Sequence, residues 1–333
     1  MDKVRFMRVL GIRHIHQEAR SRYQIDDGEL VIPESAFRNP MTLIPMVEVN
    51  RWFEKLEDVT DNPDVILDIN RDVDVGQIGV ISHWLLSGSD LASTIRRVNY
   101  GFSSLQSGAF LSASLSGSLI KWAYRNPMIE PECKVHDSVR MAMALTKVLR
   151  TYLGQDFSPL RVQLSGSRES TAKYEAYFGC EVEWSHSSTE IWFHSELRLA
   201  TKQQARLQKG RLAMNFADLD ELLNMPDPED EVKVIYEILN YSRHYGLPTV
   251  ENVSSLLGLS VQQFQRRLRN LGMNFTTVSG YVLSNIAVEM MRHGIEIDDI
   301  AQRLGYQNIA SFNRMFKKHR GLTPNQYVQR YYL

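Results

Sequence analysis

Apolar positions follow two regimes along this chain. Up to about residue 200, helical and strand-like periods alternate. VEVNRWFEKLEDV (47–59) and LASTIRRVNYGFSSL (91–105) place apolar residues at the spacing of one helix face. DSVRMAMALTKVLRTYL (137–153) does so more strongly, with Val139, Met143, Leu149 and Leu153 among its apolar positions. In IWFHSELRL the period falls to two. Ile191, Phe193, Ser195 and Leu197 share one strand face, opposite Trp192, His194, Glu196 and Arg198. LSASLSGSLIKWAYR (111–125) predicts two strands around Gly117. The mixture predicts an α+β domain over residues 1–201. KQQARLQKGRLAMNFADLDELLNMPDPEDE then loses long periodicity and ends in an acidic, proline-containing cluster, which predicts a linker over 202–230, part of it helical. Residues 231–333 carry no strand pattern and predict an all-α domain.

The all-α segment contains one pattern twice. VENVSSLLGLSVQQFQRRLRNLG (250–272) lies over IDDIAQRLGYQNIASFNRMFKKHRG (297–321). Val253 matches Ile300, Leu257-Gly258 matches Leu304-Gly305, Phe264 matches Phe312, Leu268 matches Phe316 and Gly272 matches Gly321. Each copy reads as a helix, a short glycine turn and a second helix. In the first copy Val261, Phe264, Leu268 and Leu271 form the core stripe, while Gln262, Gln265, Arg266 and Arg269 cluster on about a third of the circumference. Ser260 and Gln263 form the signature of a capping box. In the second copy Ile309, Phe312, Met315 and Phe316 make the core side, and Gln307, Ser311, Arg314 and Lys318 line up at spacings of four, three and four. Ala310 beside them is small enough to let another surface approach.

Between the copies, NFTTVSGYVLSNIAVEMMRHG (274–294) repeats Val278, Val282, Ile286 and Met290 at four-residue steps. A helix there would be roughly 25 Å long. That length would hold two second helices near one DNA turn apart, roughly 34 Å. After Gly321, Thr323 is placed as an N-cap, Pro324 at the first helical position and Gln326 at the third.

Charge sharpens this picture. The whole chain is nearly neutral at −1, but from Val232 onward twelve Lys/Arg face six Asp/Glu, a surplus of +6 that leaves −7 on the preceding residues. A basic tail domain on an acidic body favours an anionic partner at the C-terminal end. Arginine donates twice to guanine O6 and N7, glutamine pairs with adenine N6 and N7, and lysines at a helix flank neutralise phosphates without reading sequence. Either helix alone would be read as an ordinary solvated face; two capped copies favour a nucleic-acid reader.

These runs closely resemble the AraC/XylS family of bacterial transcription regulators. The residues that carry the resemblance are I–A–x–x–L–G–Y, then F–x–R–x–F–K, G and T–P–x–x–Y in the second copy, within about 235–333. The resemblance implies two helix-turn-helix units joined by a long helix, double-stranded promoter DNA as partner, and contact with RNA polymerase. It places groove-facing roles on Gln262, Gln265, Arg266 and Arg269 in the first unit. In the second they fall on Ala310, Ser311 and Arg314, with Lys317 and Lys318 near phosphate. DVGQIGVISHWLLSGSDLASTIRRVNY (74–100) and YEAYFGCEVEWSHSSTEIWFHSELRLA (174–200) resemble the larger, non-cupin sensor domain of one branch of the family, arabinose-binding-like or ornithine-regulator-like. That implies a small-molecule effector of unspecified identity, with no cofactor or metal, and carries a family bias towards activators that are often homodimers.

Other classes find less in the sequence. Two cysteines, Cys133 and Cys180, are too few for a secreted disulfide scaffold or a Cys-rich zinc site. The N-terminus lacks a signal-peptide apolar core and no window spans a bilayer, so a cytoplasmic protein with no membrane partner is expected. No H-E-x-x-H, P-loop or G-x-S-x-G is present, and the expectation is that the chain is not an enzyme. His14 and His16 are read as sharing a strand face, and Cys180 as a buried small hydrophobe. Trp84, Trp122, Tyr124, Trp184 and Trp192 are candidates either for an apolar pocket or for core. A first domain that only dimerises is left open.

Overall fold

The computed structural model describes residues 4–71, 73, 80–202 and 216–332. Two sheets organise the N-terminal part. Strand β1 (Phe6–Arg8) pairs antiparallel with β2 (Leu43–Pro45), Met7 opposite Ile44. The larger sheet has the order β3 (Phe110–Ser116), β4 (Leu119–Arg125), β7 (Thr189–His194), β5 (Arg161–Gln163), β6 (Val182–Glu183). Its pairs are antiparallel except β5–β6. β3 and β4 turn at Gly117, whose φ of +60° suits glycine. Ile120, Trp122 and Tyr124 of β4 and Ile191 and Phe193 of β7 point inward, as a period of two requires.

Around the sheets stand α1 (Arg13–Tyr23), α2 (Met46–Thr60), α3 (Val65–Asn70), α4 (Val80–Leu85), α5 (Leu91–Gly101), α6 (Lys134–Leu153) and α7 (Ala172–Phe178). Fourteen of the twenty residues of α6 are buried, so it is the central helix, enclosed on most sides by the others. Asp90 opens α5 with a reciprocal capping box to Ser93.

Two expectations for this part are corrected, and one alternative is decided. Strand β7 ends at His194, and Ser195–Leu199 form a 3-10 turn. The neighbouring β4 begins at Leu119, paired with His194, so the backbone beyond has no ladder to join and Ser195 instead donates to the carbonyl of Ser118 at 2.8 Å. His14 and His16 lie on helix α1 rather than on a strand. His16 is buried, stacked on Phe37 at 3.7 Å and accepting from the Trp52 indole at 3.2 Å. The aromatic set does not line one pocket. Trp122 is core, Trp184 packs edge-on to Tyr174, and Trp192 lies beneath Lys121. Of the first-domain run at 74–100, residues 74–79 lie outside the described residues.

Helix α8 (Phe216–Leu223) follows, and residues 203–215 of the expected linker lie outside the described residues. The remainder is helical: α9 (Glu231–Ser242), α10 (Val250–Leu256), α11 (Val261–Asn270), α12 (Phe275–Arg292), α13 (Ile297–Arg303), α14 (Ile309–Arg320) and α15 (Pro324–Tyr331). Helix α9 packs against β2 as well as α10 and α12, so the apolar core runs on from the N-terminal part into the first helical unit. A separate core holds the second unit, built from Leu283, Met291, Ile300, Leu304, Phe312 and Phe316 with Ala287 and Ala301.

Candidate nucleic-acid interface

The two second helices are set by their caps and their aromatic anchors. Ser260 accepts from the Gln263 amide and Gln263 returns a bond to Ser260, which starts α11 at Val261. Phe264 and Leu268 are buried beneath it, and Val261 and Leu271 are half-buried. Gln262, Gln265, Arg266 and Arg269 are all exposed on the other side. Arg267, about 100° from the nearest of them and further from the rest, instead pairs with Glu231 of α9 at 2.6 Å and ties α11 to the domain's first helix. Asn308 caps α14 through the Ala310 amide at 2.8 Å. Phe312 and Phe316 are fully buried, and their rings contact each other, Tyr306 and Tyr327.

Ala310, Arg314, Lys317 and Lys318 are exposed, and Ser311 is half-buried. Arg314 donates to the Ser311 hydroxyl at 3.2 Å, which holds the guanidinium along the helix. All nine expected contact residues are thus on the two outward faces or beside them. Ile309, expected in the core, is exposed at the start of α14, because Phe312 and Phe316 already fill the space beneath the helix. Gln307 precedes the cap and so lies before the helix.

The joining helix α12 has 18 residues, about 27 Å. Its buried stripe is not the four-residue series Val278, Val282, Ile286, Met290. It runs through Val278 and Val282, then shifts to Leu283, Ala287 and Met291, while Ile286 and Met290 are half-buried. The shift follows from having two customers: the first half packs with the unit of α10 and α11, the second with α13 and α14. Gly280 of α12 faces His319 of α14 so closely that a Cβ would overlap the imidazole. Gly305, at φ +86°, sits against the backbone of Leu247, where a Cβ would also collide. These close approaches fix the second unit against the rest of the domain.

The helical domain is held to the N-terminal part by a polar junction centred on the buried Glu48 and Tyr241, which no local pattern in the sequence announces. Glu48 of α2 is 2% exposed, accepts from the hydroxyls of Tyr241 (3.2 Å) and Tyr245, and pairs with Arg51 at 3.0 Å. Tyr245 is also within 3.1 Å of the Val31 carbonyl. Ser35 and His244 meet at 2.9 Å. Burial, with Arg243 and Arg38 nearby, pulls the His244 imidazole down to about 3, so it is neutral here. Arg8 makes the second tie. Its guanidinium donates to the carbonyls of Ser104 (2.8 Å) and Met41 (2.9 Å), and to Glu221 (2.6 Å) and Leu222 (2.9 Å) at the end of α8. A cation at a helix C-terminus meets the negative end of its dipole. Burial lowers the Arg8 pKa to about 10, partly offset by Glu221 and Glu237, which leaves it charged. The tyrosines' four-residue spacing was visible in sequence; their partner on α2 was not.

A cavity of about 560 Å³ lies inside the N-terminal part, bounded by α1, α4, α5 and α6. Its apolar wall includes Leu85, Val98, Phe102, Met141, Leu145 and Val148. Among the described residues no group of three or more His, Cys, Asp or Glu could hold a metal ion. Cys133 and Cys180 are free thiols, pushed up to about 12 and 11 by burial, which disfavours the thiolate a nucleophile needs. Cys180 is half-buried rather than enclosed. No helix among the described residues is long and apolar enough to cross a membrane.

Comparison with known proteins gives two family matches. Residues 29–200, just over half of the chain, match the arabinose-binding domain of AraC transcription regulator, N-terminal. Residues 253–330 match a helix-turn-helix domain. An uncharacterized HTH-type transcriptional regulator of Mycobacterium tuberculosis, Rv1395, is 31% identical over 84 residues, 25% of this chain and 24% of the relative. The HTH-type transcriptional regulator RipA of Corynebacterium diphtheriae is 25% identical over 118 residues, 35% of each chain. The matched segments therefore span a quarter to about a third of these relatives. The crystal structure of the transcriptional regulator CdpR from Pseudomonas aeruginosa aligns over 95% of this chain and 98% of its own, at 17% identity and a TM-score of 0.43.

Proposed function

The chain belongs to the AraC family of transcription regulators with an arabinose-binding-type N-terminal domain and a helix-turn-helix C-terminal domain, and from that premise we propose that it grips promoter DNA with both units. One observation carries the proposal: two capped helices, anchored by buried Phe264 and Leu268 and by buried Phe312 and Phe316, turn amide and basic side chains outward from a shared 18-residue helix. Helix α11 offers Gln262, Gln265, Arg266 and Arg269 to base edges in one major groove. Helix α14 offers Arg314 to the next, with Ser311 supporting its guanidinium, Ala310 permitting close approach, and Lys317 and Lys318 on phosphate. Ala310 has no hydrogen-bonding side chain, so base reading by the second unit rests largely on Arg314.

The N-terminal domain acts as sensor of a small molecule in this reading, and the regulator as an activator that works through contact with RNA polymerase. The cavity and the polar junction at Glu48 support that assignment, since they put a ligand-sized space and a domain contact in one body. A ligand that moves a 1:99 balance of arrangements to 99:1 must favour one by about 5.5 kcal/mol. Dimerisation through the same domain is a second reading, favoured by β3, an uncharged edge strand whose Phe110 and Leu115 are exposed. Binding of the full chain to the DNA upstream of its own gene, against scrambled duplex at several salt concentrations, tests the DNA assignment. The natural duplex should win, and the affinity should fall steeply with salt. Equal affinity for both duplexes would refute sequence reading. A small-molecule thermal-shift screen of the full chain tests the sensor, and sedimentation the dimer.

A further inference from the structure

The cavity between α1, α4, α5 and α6 is chemically one-sided. Arg8, Arg13, Arg140, Lys147 and His14 are on its wall, and among the described residues that line it none is Asp or Glu. The polar atoms left over there are all donors. Arg13 Nε, Asn70 Nδ2 and Arg140 Nε are buried with no partner among the described residues. Arg140 is the firmest of the three: its side chain is 9% exposed, and its other nitrogens are held by Asp137 at 2.6 Å, Gln106 at 3.2 Å and the Gly11 carbonyl at 3.3 Å. A buried donor left unmade is costly, and an incoming acceptor would relieve that cost. Helix α1 starts at the same wall, without a side-chain cap and without an acidic residue in its first turn. Its positive end adds to the attraction for an anion. The leucines, Val98, Phe102 and Met141 make up the apolar part of the wall.

We propose that this cavity binds an organic anion with an apolar body, of which a medium-chain carboxylate is the simplest example. The carboxylate accepts from the donors of Arg13, Arg140 and Asn70, and the chain lies along the apolar wall. An amine would bring a fifth cation beside Arg8, Arg13, Arg140 and Lys147, and a sugar would leave its hydroxyls facing leucine and phenylalanine. The proposal rests on the sensor reading above and narrows it to a ligand class.

The test titrates the full chain by calorimetry with octanoate, octylamine, 1-octanol and acetate. Octanoate should bind at least ten-fold more tightly than each of the other three, since each lacks either the charge or the apolar body. Arg13→Gln, at a half-buried position, should weaken octanoate at least ten-fold with an unchanged melting temperature and should leave the weak affinity for 1-octanol as it was. Octylamine binding as well as octanoate, or octanoate binding indifferent to Arg13→Gln, overturns the anion assignment. A thermal-shift screen with cationic, neutral and anionic small molecules separates this failure from that of the sensor reading. Cationic or neutral hits alone overturn the ligand class and leave the sensor standing; no hit of any class overturns both.

Discussion

Arg314 and Lys318 stand about one turn apart on α14, both exposed, and should fail differently when cut back. Arg314→Ala is expected to cost about 1–3 kcal/mol on the natural operator and to loosen preference at one base pair. Lys318→Ala should weaken natural and scrambled duplexes alike and flatten the salt dependence by about one unit of slope. Anisotropy titrations on both duplexes check the pair; equal losses for Arg314→Ala on both would contradict a reading role. Titration sets a third expectation. Burial holds the imidazoles of His16, His136 and His244 below their ordinary value, His136 at about 4 and His244 at about 3. Neutral when folded and protonated when unfolded, they add stability that is present above about 6.5 and lost as the pH falls below it. Between pH 7 and pH 5 the loss is about 2 kcal/mol for each of His136 and His244. Glu237, whose carboxyl burial pushes upward, works the other way, one group against three. Melting temperatures of the full chain should therefore drop from pH 7 to pH 5; a flat or rising curve would refute the sign. At this scale the exposure of the candidate contact residues was legible in sequence because helical period alone sorts Arg314 from Phe312. The buried histidines were not, since the partners of His16 and His136 are distant in sequence or in other elements.

An element here is defined by what it packs against. Phe312 anchors α14 on α12 and α13, so Phe312→Ala should destabilise the helical domain by about 3–5 kcal/mol, read as a lower denaturation midpoint. An unchanged midpoint would contradict its core position. Gly305→Ala meets both a left-handed backbone angle and the Leu247 backbone, and should cost more than about 1 kcal/mol by the same measurement. The capping boxes at Ser260 and Thr323 and the turns at Gly258 and Gly305 were legible because caps act within three or four residues. Strand β7 was overextended because its end is decided by where β4 begins, a long-range fact. The stripe of α12 was misjudged for the same reason: one regular period cannot announce that a helix serves two cores.

Across the whole molecule, two chemistries are joined through short polar ties. Arg8 lines the cavity and also clamps the end of α8, while Glu48 receives two tyrosines of the helical domain. Neither tie is visible from sequence, because each links residues about two hundred positions apart. Coupling between ligand and DNA sites requires that occupancy alter one of these contacts. The α+β and all-α character of the two parts was legible, as was the charge division, because both are local or summed properties. In the proposed complex, two rigidly joined helices enter successive major grooves on one face of DNA. Hydroxyl-radical footprinting of the full chain on its upstream DNA tests it most directly. Two protected windows should appear on one face, about 10–10.5 base pairs apart, with the window assigned to α14 fading in Arg314→Ala. A single window, or two on opposite faces, would contradict it.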